Sequence, residues 1–329
     1  VPGRGHQLVL ELLLREQTQE PIFRMQRSGA LVGVKSRWSS HIDSFVDYRV
    51  QLRDLQGVEP GGLVCGDPWF ESLGAADCDL DDVIVPSSVR YQGGPEFLLL
   101  IDYRNDKFNP TRGSFVQTQM QLADGLNDSV FFMRGDLRAE QFIGLGPIVL
   151  DIFARAGAGW VPGEGTTMPM EDRFYLGGGG SMRGFKLNSV GPANYSSRPE
   201  LGMPAAVDPI LEGRAIRDTP NQWVSTGGDA VFQGSVELRI PFTALGLKDW
   251  DSTAWVLFTD VGKVAYLDPL IRTTSIVSGG DPPVRYSVGF GLRQNTPIGP
   301  AALEIGFNPS PLVAREEQSY QLHLSLGEL

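Results

Sequence analysis

The sequence is poor in the residues that most reaction chemistry needs. It has only three histidines, His6, His41 and His323, each isolated on a strand-like segment or turn. A lone histidine on a polar face is structural far more often than catalytic. No Ser/His/Asp set and no convincing carboxylate pair stands out, so the chain is not expected to be an enzyme, and no cofactor is expected. There are two cysteines, Cys65 and Cys78, in GGLVCGDPWFESLGAADCDLDD. Their spacing is not that of a metal site, and no histidines lie close by. A disulfide between them in an oxidising compartment is the expectation, with two free thiols as the alternative. The acidic run Asp77, Asp79, Asp81 and Asp82 has the alternate carboxylates that suit a hard cation such as calcium. A solvated acidic loop, balanced by divalent ions at a lipopolysaccharide surface, is the plainer reading, and no metal is assigned.

Two further shortages narrow the class. With 28 basic against 39 acidic residues the net charge is −11, which argues against nucleic acid as a partner. No run of eighteen apolar residues is present, so no transmembrane helix is expected. The first residues, VPGRGHQLVLEL, lead straight into a strand pattern without a signal peptide, and they are read as the start of an excised part of a longer protein.

What the chain has in quantity is alternation. In AVFQGSVELRIPF one face takes Phe232, Gly234, Val236, Leu238 and Ile240, and the other takes Gln233, Ser235, Glu237 and Arg239. RYSVGFGLR, SFVDYRVQLRDL and the C-terminal SYQLHLSL repeat the pattern, the last with Tyr320, Leu322, Leu324 and Leu326 on one side. About twelve such segments can be marked: 6–17, 23–38, 42–56, 93–104, 113–124, 129–142, 147–160, 229–242, 253–264, 284–295, 300–308 and 318–328. Most of the forty glycines and twenty-three prolines fall between them, marking turns rather than disorder. Short connections alternate with long ones at 57–87, 161–228 and 265–283. A transmembrane barrel sorts its connections in this way, and a soluble sandwich has no reason to. On pattern alone, a membrane barrel and a soluble all-β fold both stay open.

The longest connection contains EDRFYLGGGGSMRGFKLNSVGP. Its Phe174, Tyr175, Leu176, Gly177, Gly178, Ser181, Arg183, Gly184 and Phe185, followed by Gly191 and Pro192, resemble the signature of the BamA/TamA superfamily of outer-membrane β-barrel insertases. DYRNDKFNPTRG (102–113), SVELRIPF, LFTDVGKV (257–264) and the last hairpin resemble further landmarks of that family in the same order, from about residue 28 to the end. The resemblance implies an all-β, antiparallel transmembrane barrel of about sixteen strands, of which about twelve are visible here. The reading is therefore that residues 1–329 are one barrel domain, with the first strands and the periplasmic POTRA domains lying outside this chain. It implies that the long loop folds into the lumen, so that Arg183 meets Asp260 of the F-x-D-x-G strand, where Gly262 follows. Phe185 would fill an apolar pocket, and the glycines at 177–180 would supply the turn.

The resemblance further implies a bacterial outer-membrane location with periplasmic termini and contact with lipid and lipopolysaccharide. Its implied partners are unfolded outer-membrane proteins and periplasmic or lipoprotein accessory subunits. In this family the first and last strands form a seam. Here the last strand is Tyr320, Leu322, Leu324, Leu326 and Gly327, and its Gly-Glu-Leu ending is closer to the TamA branch. A two-partner-secretion transporter and a passive porin are the alternatives.

Overall fold

The computed structural model describes residues 5–19, 24–56, 88–125, 130–163, 166–196, 222–247, 252–268, 283–296 and 299–326. Twelve long strands form one antiparallel sheet in which every strand pairs with its neighbours in chain order. They are β1 (Gly5–Gln19), β2 (Arg24–Arg37), β3 (Ile42–Gln56), β4 (Ser88–Asp102), β5 (Gly113–Asp124), β6 (Phe131–Leu145) and β7 (Ile148–Trp160). After an excursion come β10 (Ala230–Pro241), β11 (Thr253–Ala265), β12 (Arg285–Thr296), β13 (Gly299–Phe307) and β14 (Tyr320–Leu326). Two short strands, β8 (Ala193–Ser196) and β9 (Gln222–Ser225), pair only with each other inside that excursion.

The twelve alternating segments are therefore the twelve strands of the sheet. Boundaries agree to within about three residues except at β4, which begins at Ser88, not at 93. Gly93-Gly94-Pro95 looks like a strand breaker, yet β3 pairs straight through it, with Pro95 opposite Tyr48. Gly94 accommodates this with a φ of 143°. The β8–β9 hairpin was not anticipated; its four-residue strands are too short to show a period. Among the described residues, no ladder joins β1 to β14.

The two faces of the sheet are inverted relative to a water-soluble protein. On β10, Phe232 is 50% exposed and Val236 42%, whereas Gln233 and Glu237 are 3% and 6% exposed. Leu8, Leu10 and Leu12 of β1, Leu257 of β11 and Leu322, Leu324 and Leu326 of β14 also point outward and are exposed. Asp47, Arg53, Asp136, Asp151, Asp260 and Glu304 face the concave side and are buried. In water such an exterior would forfeit about 25 cal/mol for every Å² of apolar surface left uncovered. In hydrocarbon it is the favourable arrangement, and the sheet keeps its backbone groups paired.

Aromatic side chains mark the two rims. Trp38, Tyr103 and Trp255 are exposed at the end carrying the short turns, and Phe131 and Trp160 at the end carrying the long loops, where their rings meet edge to face at 6.5 Å. Such belts sit at the headgroup level of a bilayer. No helix of the described residues is long and apolar enough to cross a membrane.

At the short-turn rim, the connection between β4 and β5 is held by its own polar side chains. The Asp106 carboxylate accepts from the backbone N–H groups of Phe108 and Asn109. These two bonds, Asn109 first, hold its pKa below the usual aspartate value.

The inverted faces predict opposite outcomes for one substitution. Leu257→Arg, at mid-height on the outer face, should cost about 2–4 kcal/mol of bilayer-embedded stability. Gln117→Arg, on the lumen side of β5, should cost far less. Denaturant titration of the protein folded into liposomes measures both, and equal costs would contradict the assignment of the faces.

Candidate functional site

The connection between β7 and β10 turns inward and lies against the concave face. Its first limb forms a single-turn 3-10 helix, Met170–Asp172. The chain then makes antiparallel bridges from Phe174 to Gly228 and from Leu176 to Val190. These bridges place Met168, Phe174, Leu176, Met182, Phe185 and Val190 in one buried cluster with wall residues Ala123, Phe132, Val231 and Val264. The Phe174 ring is covered by the Arg134 guanidinium, 4.5 Å from its centroid. The Tyr175 hydroxyl donates to the Met170 carbonyl at 2.9 Å. Of the four glycines, Gly177 and Gly178 make the turn, with φ of 119° and 99°.

That turn delivers Arg183 to the wall, where it is 7% exposed. Its guanidinium forks onto Asp260 of β11, Nε reaching Oδ2 at 3.1 Å and Nη2 reaching Oδ1 at 2.8 Å. The Arg183 backbone N–H also donates to Asp260 Oδ2, at 3.0 Å, and the hydroxyls of Ser235 and Ser287 donate to the same carboxylate. Asp260 is fully buried and accepts five hydrogen bonds, so protein donors replace the water its oxygens have lost.

One carboxylate is not the whole partner. Arg183 Nη1 also donates to Glu237 of β10 at 2.7 Å and to Glu304 of β13 at 3.3 Å. Glu237 accepts from Arg293 at 2.8 Å and from Arg239 at 2.9 Å. The guanidinium plane lies over the Phe258 ring, 3.5 Å from its centroid. Arginine is the only side chain that satisfies a bidentate carboxylate, further acceptors and an aromatic face at once.

Close approach of the loop tip requires two glycines. A Cβ on Gly184 would meet Ser287 Cβ at 2.5 Å and the Phe307 carbonyl at 2.9 Å, and a Cβ on Gly306 of β13 would run into the Arg183 carbonyl. That carbonyl accepts from His323 Nε2 of β14 at 2.7 Å. Phe185 is buried beneath the Arg285 guanidinium, 5.2 Å from its ring. Gly262 stands beside Leu176 and Met182, with room for no side chain.

The residues singled out in the sequence thus fall into two groups. Phe174, Tyr175, Gly177, Gly178, Arg183, Gly184, Phe185, Asp260 and Gly262 converge inside the sheet. Tyr320, Leu322, Leu324 and Leu326 stand on the outer face of β14, away from that cluster. Cys65, Cys78, Gly327 and the acidic run at 77–82 lie outside the described residues. Sequence reasoning missed Glu237 and Glu304 as further partners of Arg183, Phe258 as its stacking surface, and His323 as a donor to the loop. One signal was available: Phe258 occupies the polar face of its strand, two residues before Asp260, and an aromatic there marks a surface that something must cover.

Comparison with known proteins agrees with this geometry. The Omp85 superfamily domain model matches residues 96–328. The chain belongs to the Omp85 superfamily. Among curated Omp85-type relatives, the sorting and assembly machinery component 50 homolog of Bos taurus is 35% identical over 97 residues, covering 29% of this chain and 20% of the relative. The SAM50-like protein CG7639 of Drosophila melanogaster is 30% identical over 131 residues, covering 37% of this chain and 29% of the relative. The aligned stretches thus span well under half of these relatives. The crystal structure of BamA from Haemophilus ducreyi lacking POTRA domains 1–3 superposes with a TM-score of 0.71 at 18% identity, over 91% of this chain and 54% of that one. This similarity carries the fold alone, that of a BamA-type β-barrel.

Removing one member of a buried ion pair costs about 3–5 kcal/mol. Arg183→Ala and Asp260→Ala should each lose that order of stability and lose the compact, heat-modifiable gel band. Gly306→Ala leaves every charge in place and should lose the band as well, because the loop tip can no longer seat. Gel migration with and without heating reads all three.

Proposed function

We propose that the chain is the barrel of a factor that folds β-barrel proteins and inserts them into an outer membrane, with β14 forming one side of a lateral seam. The observation that carries this reading is the last strand. It has seven residues, pairs only with β13, and among the described residues its other edge carries no ladder. An unpaired edge presents N–H and C=O groups that hydrocarbon cannot satisfy, and an incoming strand satisfies them by adding to the sheet. No side chain has to perform chemistry; the template is the backbone. The outward leucines of β14 keep such a hybrid sheet compatible with lipid.

Family membership supports the same reading. Curated relatives carry the name of a sorting and assembly machinery component, and BamA supplies the fold. The clients are then unfolded outer-membrane proteins, and accessory subunits would bind at the rim of short turns, which in this reading faces the periplasm together with both chain ends. A passive porin is disfavoured by the apolar cluster and ion-pair network that fill part of the lumen.

The test is reconstitution of the chain in liposomes with a urea-unfolded reporter barrel. Folding of the reporter, followed by protease resistance, should be about tenfold faster than in empty liposomes, a factor worth about 1.4 kcal/mol of barrier. Arg183→Ala should remove most of that gain. Equal rates with and without the protein would overturn the proposal.

A further inference from the structure

The loop is fastened at a second wall. Arg53 of β3 faces the lumen and is 6% exposed, and its Nη1 contacts Asp172 Oδ2 at 2.6 Å and Glu171 Oε1 at 3.9 Å. Its Nε donates to Gln51 Oε1 at 3.3 Å. Asp172 closes the single-turn 3-10 helix at the head of the inserted limb, donating its N–H to the Pro169 carbonyl, and it is as buried as Arg53. In the sheet order β3 is third and β11 ninth, so Arg53 and Asp260 stand on well-separated parts of the wall. The limb between Asp172 and Arg183 therefore crosses the lumen, and Phe174, Leu176 and Met182 of the apolar cluster are strung along it.

From this geometry we infer that Arg53 and Asp172 form a second anchor, separate from the Arg183 network, that holds the outer half of the loop across the lumen and closes it to ions. Two carboxylates, Glu171 and Asp172, lie next to each other against β3. Arg53 meets Asp172 at hydrogen-bond distance, with Glu171 in looser ion-pair contact. Without Arg53, the buried Asp172 carboxylate loses the guanidinium that it meets at 2.6 Å, and the cost of holding that charge in a site with little water favours moving the helical turn away from the wall. The Arg183 end has its own set of partners and stays seated. The expected result is a water-filled gap beside β3 and β4 in a protein that remains folded. Phe174 contributes to the closure, pinned under Arg134 and against Gly157. Arg134 also attracts Asp172 electrostatically, while Arg53 meets it at 2.6 Å. Arg53 is thus a positioning residue, acting on passage through the lumen by way of the loop.

The experiment is planar-bilayer conductance of the purified full chain. The unmodified protein should be closed most of the time. Arg53→Ala should raise the conducting fraction about tenfold or more while retaining the heat-modifiable band. The double reversal Arg53→Asp with Asp172→Arg should return it towards the closed level, which a purely volumetric role for Arg53 would not produce. Arg53→Gln, which keeps bulk and hydrogen bonding without charge, serves if the alanine variant does not fold, and failure of both to fold would overturn the claim that this anchor is separable from barrel formation. A folded Arg53→Ala that stays as closed as the unmodified protein, or a double reversal that stays open, would also overturn it. The inference is independent of the insertion reading, since conductance and reporter folding are measured separately.

Discussion

A single guanidinium inside a membrane-embedded sheet sets the terms for the rest of this structure. Arg183 is almost entirely removed from solvent, and an ion so placed is tolerated only when its charge and all its donors are answered. The answer comes from three strands. Asp260 supplies the fork, Glu237 and Glu304 supply further acceptors, and Phe258 supplies the face. Because those residues lie on β10, β11 and β13, seating the loop also fixes the relative positions of neighbouring strands. Brace and wall specify each other.

The energetics explain why the acids exceed one. Three carboxylates, Asp260, Glu237 and Glu304, share three guanidiniums, Arg183, Arg239 and Arg293. Arg239 also reaches Asp151 of β7, extending the chain of contacts along the wall. Such a network is worth keeping only when complete, since each missing member leaves a buried charge uncompensated. It confines the loop to one register, and Gly184 and Gly306 enforce that register sterically. His323 adds a direct link from the loop tip to β14, the strand whose free edge carries the functional proposal. Loop seating and the last strand are therefore mechanically connected.

The outer surface follows a different rule. It has no specific contacts to make and needs only to be apolar at mid-height and aromatic at the rims, as Leu257, Trp160 and Trp255 illustrate. Specificity lies inside and compatibility outside, the reverse of the usual arrangement in a protein that binds partners at a solvent-exposed face.

How much of this was legible beforehand depends on distance along the chain. Strand identity was readable because alternation is a local property: Gln233, Glu237 and Arg239 declare one face, and Phe232 and Val236 the other, within a few residues. The order of landmarks around Arg183 and Asp260 was enough to name the family and to suggest that the two meet. The start of β4 was misplaced because Gly93-Gly94-Pro95 carries a local breaker signal that pairing with β3 overrides. The β8–β9 hairpin, the roles of Glu237 and Glu304, the donation from His323 and the Arg53–Asp172 contact were not legible at all. Each joins residues separated by tens of positions or more, on strands whose neighbours are set only once the sheet has curved. The sequence alone determined which residues cannot face lipid, because hydrophobicity belongs to each side chain. Which charges meet inside was decided by strand order and curvature, because Coulomb attraction and hydrogen bonding act only at contact, and contact is a property of the folded chain.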